Sequence, residues 1–316
     1  MFEAPTEWIS PESFPDLKDH KYIAIDLETR DPDLKSRGSG SIIGNGEIVG
    51  ISVAVEGWSG YYSFGHAEGN FFDKEVVMRW IKEVCALPNV KLFHNAMYDV
   101  CWLRAYGVKI NGHIVDTMVM ASLIDENRFH YSLNSLSIDY LGQVKDETAL
   151  RAAAERAGVD AKAEMWKLPA MYVGLYAEKD AELTLSLFKK LSVEIKKQDL
   201  TKVFDLETQL FPCLIDMKFK GVRVDVQKAH TIKQKLAAQE ESLLLEVKKE
   251  TGIEPQIWAA RSIAKVFDKL GLNYVRTAKT QAPSFTKNFL QEHKNPIVNK
   301  IAKAREINKA HTTFID

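Results

Sequence analysis

The segment spanning residues 22–29, YIAIDLET, is apolar enough to be buried on both faces, yet it carries two carboxylates, Asp26 and Glu28. A strand covered on both sides belongs to a sheet flanked by helices. Side chains alternate along a strand, so Asp26 and Glu28 point to the same side and one strand end offers two oxygen ligands together. Two further segments add acids. VKLFHN (90–95) reads as a second short apolar strand, and the apolar spacing of AMYDVCWLRAYG (96–107) sets Asp99 one turn inside the helix that follows. In LYAEKDAELTLSLF (175–188) apolar residues recur every three or four positions, so Tyr176 and Asp180, four apart, share a helical face.

Carboxylates with nothing softer among them favour hard divalent cations. Mg²⁺ and Mn²⁺ take oxygen ligands, whereas zinc calls for closely spaced His or Cys, and the three cysteines are scattered. Two such ions ~3.5–4 Å apart clamp an in-line phosphodiester hydrolysis. The ligand set read from the sequence is Asp26, Glu28, Asp99 and Asp180, with Tyr176 beside it.

The order and spacing of these residues resemble the three motifs of the DEDDy-type 3′→5′ exonucleases, specifically the proofreading domain of bacterial and phage family A DNA polymerases. Asp26 and Glu28 match the Asp-x-Glu motif; Asn95, Tyr98 and Asp99 match Asn-x-x-Tyr-Asp; Tyr176 and Asp180 match Tyr-x-x-x-Asp. VDTMVMASLID (115–125) and YSLNSLSIDYLG (131–142) also resemble that family. The resemblance implies a ribonuclease H-like fold: a mixed five-stranded α/β sheet flanked by helices. It implies two Mg²⁺ or Mn²⁺, with Asp26, Glu28 and Asp180 on one ion, Asp26 bridging to the second, and Asp99 reaching that second ion. Tyr176 would orient the attacking water. Asn95, Tyr98, Leu27 and Thr29 would meet the terminal nucleotide, and Glu28 its 3′-hydroxyl. The substrate implied is a single-stranded DNA 3′ end, released as 5′-mononucleotides.

Strands are expected near 21–28, 47–55, 59–64, 90–94 and 109–115, with helices near 73–86 and 97–106 and further helices through 197. Asp116 precedes an apolar helical run and reads as an N-cap rather than a ligand. His94 and His130 read as satisfied by backbone or solvent. The glycine-rich run RGSGSIIGNG (37–46) lacks the spacing of a phosphate loop and reads as a flexible hairpin; Lys35 and Arg37 put DNA contact within its reach. Cys85, Cys101 and Cys213, odd in number and in apolar helical contexts, read as reduced, buried thiols of an intracellular, cytoplasmic protein. No apolar run is long enough for a bilayer span.

The net charge of −1 hides a division. Residues 1–216 carry 23 Lys and Arg against 33 Asp and Glu, whereas residues 217–316 carry 19 against 10, so the basic excess lies late in the chain. A lysine-rich surface there could track a phosphate backbone. Within 205–225 the letters of the first motif recur at Asp205 and Glu207, but helical spacing keeps the two off one face. Gly221, Val222, Val224 and Asp225 resemble a Gly-Val-x-Val-Asp turn that precedes the thumb helices of family A polymerases, which grip duplex DNA. The expected division is an exonuclease domain over 1–200 and an all-helical, partial thumb over 201–316. Nothing matches the palm or fingers, so the chain reads as a fragment of a longer polymerase or one half of a split one, with a palm and fingers chain as partner. An RNA-processing exonuclease, a catalytically silent DNA-binding platform and a polymerase-docking subunit are the other readings.

Overall fold

The computed structural model describes residues 6–315. Five strands form one mixed sheet in the order β3-β2-β1-β4-β5: β1 (Tyr22–Arg30), β2 (Glu47–Val55), β3 (Trp58–Ser63), β4 (Val90–Phe93) and β5 (Ile114–Asp116). β2 runs antiparallel to β1 and β3, whereas β4 and β5 are parallel to β1 and to each other. The antiparallel step follows from the β1–β2 connection, which holds only the single turn α1 (Gly40–Ile43). The parallel steps are made through α2 (Lys74–Ala86) and α3 (Ala96–Ala105). Helices α4 (Thr117–Ile124), α5 (Leu133–Leu141), α6 (Thr148–Ala157), α7 (Ala170–Lys197) and α8 (Thr201–Lys220) complete the first compact unit, which ends at Gly221.

Parity along β1 sorts the two faces of the sheet. Ile23, Ile25 and Leu27 enter a core with Val77 and Ile81 of α2 and Val100 and Leu103 of α3. Ala24 faces the other way, into a core with Leu183, Leu187 and Leu191 of α7. Asp26 and Glu28 continue the Ala24 parity and so lie on the α7 side. Their cross-strand neighbours are small: Ala24 pairs with Ala54, Asp26 with Ser52 and Glu28 with Gly50. At Gly50 a Cβ would collide with the ring of Tyr61, which lies over that backbone. Helix α7, 28 residues and about 42 Å long, crosses this small-residue strip.

Four features depart from the sequence reading. The fifth strand begins at Ile114 rather than near 109, because Asn111 donates its amide to the Cys85 carbonyl and Gly112 turns the chain at φ 78°. The glycine-rich run is pinned rather than a free hairpin: Asp31 accepts from the Gly40 amide at 3.0 Å and Asp33 from the Asn45 side chain at 2.7 Å. Helix α8, assigned by sequence to the second segment, packs on the first unit through Phe211 and Ile215. Cys85 and Cys101 are buried as expected, but Cys213 on α8 is exposed.

The second unit begins at Val222. Gly221 ends α8 at φ 68°, and Asp225 caps α9 (Val226–Thr251) by accepting from the Lys228 amide at 3.0 Å. Helices α10 (Ala260–Lys269), α11 (Lys287–Gln291) and α12 (Pro296–Thr313) close a core around Phe267, Leu290, Val298 and Ile301. Glu240 of α9 ties to α12 by accepting from Asn308 and pairing with His311 at 2.7 Å. A two-residue antiparallel pair, β6 (Val275–Arg276) with β7 (Pro283–Ser284), interrupts the helices; it is too short to leave a period in the sequence. Among the described residues, no helix is long and apolar enough to cross a membrane.

At Gly112 a Cβ would press on the carbonyls of Pro88 and Asn89, in a backbone conformation side-chain-bearing residues avoid. Gly112→Ala is expected to destabilise the first unit by about 1–3 kcal/mol, read as a lower thermal midpoint; an unchanged midpoint would refute this account of the turn into β5.

Candidate active site

Three elements bring the acidic residues to one recess. β1 supplies Asp26 and Glu28, both part-buried; α7 supplies Asp180, 6% exposed; the first turn of α3 supplies Asp99, 4% exposed. Asp99 is held against β1 by the Leu27 amide, which donates to its Oδ1 at 3.2 Å. The acids feel one another. Burial, then the charge of Asp180, pushes the Asp26 carboxyl up to about 8, with Lys145 opposing. Glu28 is raised well above the carboxylate range by burial, then by Asp26 and Asp180. Asp99 is raised by burial and by Asp26, against the pull of the Leu27 amide. Asp180 is raised by burial and held back by Lys145.

Tyr176 sits one helical turn before Asp180. Burial and then the charges of Asp180, Glu28 and Asp26 push its phenol far up, so it stays protonated and able to donate. Two ammonium groups lie over its ring, Lys145 with Nζ 4.9 Å and Lys162 with Nζ 6.0 Å from the centroid. Lys145 also forms an ion pair with Asp180.

Among the described residues, no three acid, His or Cys side chains stand close enough to enclose one ion as they are placed. Asp180 is engaged by Lys145 and Asp99 by the Leu27 amide. The donor set nevertheless fits a hard divalent ion. It is all oxygen, and its members repel one another in a poorly solvated recess. Mutual repulsion of this kind is relieved only by protons or cations.

The nucleotide-contact candidates separate into different situations. Tyr98 and Thr29 are bonded to each other, hydroxyl to hydroxyl at 2.6 Å, and Tyr98 donates to Asp31 at 3.1 Å. Asn95 is exposed in the left-handed region at φ 64°, a conformation Asn tolerates, and turns the end of β4 into α3. Leu27 is 6% exposed, its side chain in the α2/α3 core. Asp116 caps α4 by accepting from the Met118 amide at 2.8 Å, and it also accepts from the amides of Asn95 and Ala96 at the start of α3. His94 bonds the Thr117 hydroxyl at 2.8 Å and the Tyr131 backbone, and burial lowers it to about 4, so it is neutral. His130 is exposed.

Sequence reasoning passed over several residues here. Glu178, inside the third motif, accepts from Trp8 Nε1 and the Tyr61 amide, both at 2.9 Å, and anchors α7 to β3. Tyr61 is buried beside the acids and bonds His66 Nε2 at 2.5 Å, while His66 Nδ1 meets the Leu168 carbonyl just before α7. Lys145 and Lys162 come from irregular segments without periodicity; no local pattern distinguishes them from surface lysines.

Residues 9–196 match the family described as 3′-5′ exonuclease, of the DNA polymerase A type. The chain belongs to this family. A DNA-directed DNA polymerase of Pseudomonas phage M6 is 32% identical over 319 residues, covering 98% of this chain and 48% of the phage protein. DNA polymerase DpoZ of Acinetobacter phage SH-Ab 15497 is 27% identical over 96% of this chain and 49% of its own length. DNA polymerase I of Pseudomonas aeruginosa is 25% identical over 95% of this chain and 33% of its own. The chain thus spans half or less of the length of these relatives. In fold it is similar to the POL domain of Pol1 from M. smegmatis, solved with DNA primer-template and dNTP, at a TM-score of 0.65 and 16% identity, covering 94% of this chain and 46% of that one.

Asp116 serves two helix starts at once, so Asp116→Asn, which replaces an acceptor oxygen by a donor, is expected to cost about 1–3 kcal/mol. Chemical denaturation measures this; a midpoint equal to that of the parent would show that the cap is dispensable.

Proposed function

We propose that the chain hydrolyses the 3′-terminal phosphodiester of DNA and releases 5′-mononucleotides, as the proofreading exonuclease region of a longer family A DNA polymerase. The observation that carries this reading is that Asp26 and Glu28 of β1 meet Asp180 and Tyr176 of α7, with Asp99 of α3 within electrostatic reach of Asp26. Asp26, Glu28 and Asp180 would hold one Mg²⁺ or Mn²⁺, and Asp26 with Asp99 a second. Bound there, such ions supply Lewis acidity to water and phosphate and neutralise developing charge.

The chain's own groups do the rest. The protonated Tyr176 phenol donates a hydrogen bond and so fixes the attacking water against the scissile phosphorus. Glu28 accepts from the 3′-hydroxyl, which selects chain ends over internal linkages. Tyr98 has its hydroxyl committed to Thr29 and Asp31 and offers its ring edge and backbone to the terminal nucleotide, with exposed Asn95 beside it. In this reading the exonuclease domain covers 1–200, with α8 as its C-terminal buttress. The lysine-rich later segment, +9 over residues 217–316 from 19 basic and 10 acidic side chains, is a partial thumb that tracks duplex phosphates.

Single-stranded DNA with a labelled 3′ end, incubated with Mg²⁺, should be shortened to mononucleotides. Asp26→Ala and Asp180→Ala are each expected to lower the rate by on the order of 10³-fold, the equivalent of about 4 kcal/mol. Tyr176→Phe should lose ~10²-fold or less. Undiminished cleavage by Asp26→Ala would remove the mechanism, and clear preference for RNA ends would redirect the substrate assignment.

Ion loading should also depend on pH. An acid whose pKa is raised keeps its proton until the pH nears that value, and the proton must leave before a cation binds. The half-saturating Mn²⁺ concentration is therefore expected to fall as pH rises toward the Asp26 value of about 8, by up to about tenfold per pH unit. Titration calorimetry in buffers of different ionisation enthalpy would count the released protons; a flat profile contradicts the assignment.

A further inference from the structure

A cation already stands among the acids. Lys145 lies between α5 and α6, and its side chain is only 5% exposed where it pairs with Oδ1 of Asp180, itself 9% exposed. The contact is a charge-assisted hydrogen bond from the ammonium to the carboxylate, and the Tyr176 phenol also bonds to Asp180. The same ammonium lies over the Tyr176 ring and opposes the raised pKa of Asp26, Glu28 and Asp180 alike.

The segment is arranged to deliver this one side chain. Next to it, Val144 is 72% exposed. Glu147, two residues on, pairs with Lys162 at 3.0 Å and with Arg151 at 2.5 Å, which fixes the far end of the segment to α6 and to the loop beyond. Burying an ammonium is costly unless negative charge surrounds it. Here Asp26, Glu28 and Asp180 do so, and one ammonium leaves the three under-neutralised.

We propose that Lys145 is a positioning residue that acts as the resident cation of the recess, holding Asp180 and the Tyr176 ring in place while no divalent ion is bound and ceding Asp180 to the ion that loads. This rests on the reading of the recess as a divalent-metal exonuclease site. Ion binding is then a competition: the entering ion displaces an ammonium as well as any protons. Removing the ammonium leaves the recess one unit more negative, so a divalent ion binds it more tightly.

The experiment is titration calorimetry of Mn²⁺ into the full chain and into Lys145→Gln, under alkaline conditions where the acids are ionised in both. Lys145→Gln is expected to bind Mn²⁺ more tightly, on the order of tenfold for one unit of charge removed, and Lys145→Arg to stay within about twofold of the parent. Equal or weaker Mn²⁺ binding by a folded Lys145→Gln overturns the proposal. A second measurement uses the parent chain alone, in case the glutamine variant does not fold without metal. Acylation of Lys145 by an amine-reactive ester, followed by mass spectrometry, should run several-fold faster in Mg²⁺ than in EDTA. Equal or slower labelling in Mg²⁺ overturns the proposal. The two readings fail differently. A parent chain that neither binds Mn²⁺ nor shortens DNA 3′ ends sinks the exonuclease assignment, whereas a parent that does both, with a glutamine variant of unchanged affinity, sinks only the role of Lys145.

Discussion

The architecture of the first unit turns on a cluster of like charges held where water is scarce. Asp26 and Glu28 project from β1, which pairs antiparallel with β2 on one side and parallel with β4 on the other, and α7 lies across them carrying Asp180. Packing carboxylates together beside an apolar core is unfavourable until protons or cations intervene. The rest of the unit is built to hold the cluster against that repulsion. Ala24, Ala54, Ser52 and Gly50 keep the strip beneath α7 low, and the absence of a side chain at Gly50 admits the Tyr61 ring.

Helix α7 keeps its acidic turn in position because neighbouring turns are tied to β3. Glu178 accepts from Trp8 and the Tyr61 amide, and Glu182 accepts from Ser59 at 2.7 Å. Gly174 lets the Trp8 ring lie against the helix, since a Cβ there would overlap it. These contacts, at positions 174, 178 and 182, alternate along the helix with Tyr176 and Asp180, so the residues that meet the recess are set by partners that do not. Asp116 does the same for Asp99. By gathering the amides that open α3 and α4, it fixes the turn from which Asp99 reaches back to β1.

Family membership and fold likeness agree with this arrangement at different levels. The match to the 3′-5′ exonuclease family covers residues 9–196, the part that holds the sheet and α7. The likeness to the M. smegmatis Pol1 domain extends over 94% of the chain, though at 16% identity it speaks only to fold. The second unit has its own core around Phe267 and its own polar ties: Arg305 donates to the carbonyls of Ile257 and Phe285 at 2.6 and 2.7 Å, and Glu240 bridges to α12.

What was legible in the sequence was whatever a local period encodes. The parity of YIAIDLET put Asp26 and Glu28 on one face, the four-residue spacing put Tyr176 and Asp180 on one helical side, and the position before an apolar run made Asp116 a cap. Four of the five strands fell close to their expected bounds for the same reason, while the fifth was overextended because the turn at Gly112 depends on the carbonyls of Pro88 and Asn89, distant in sequence. Tertiary structure alone decided which cation meets Asp180, that Tyr98 spends its hydroxyl on Thr29 and Asp31, that the glycine-rich run is tethered, and that α8 packs with the sheet. These are pairings between residues distant in sequence, and a chain's periodicity carries information about which way a residue points, not about what arrives from elsewhere to meet it.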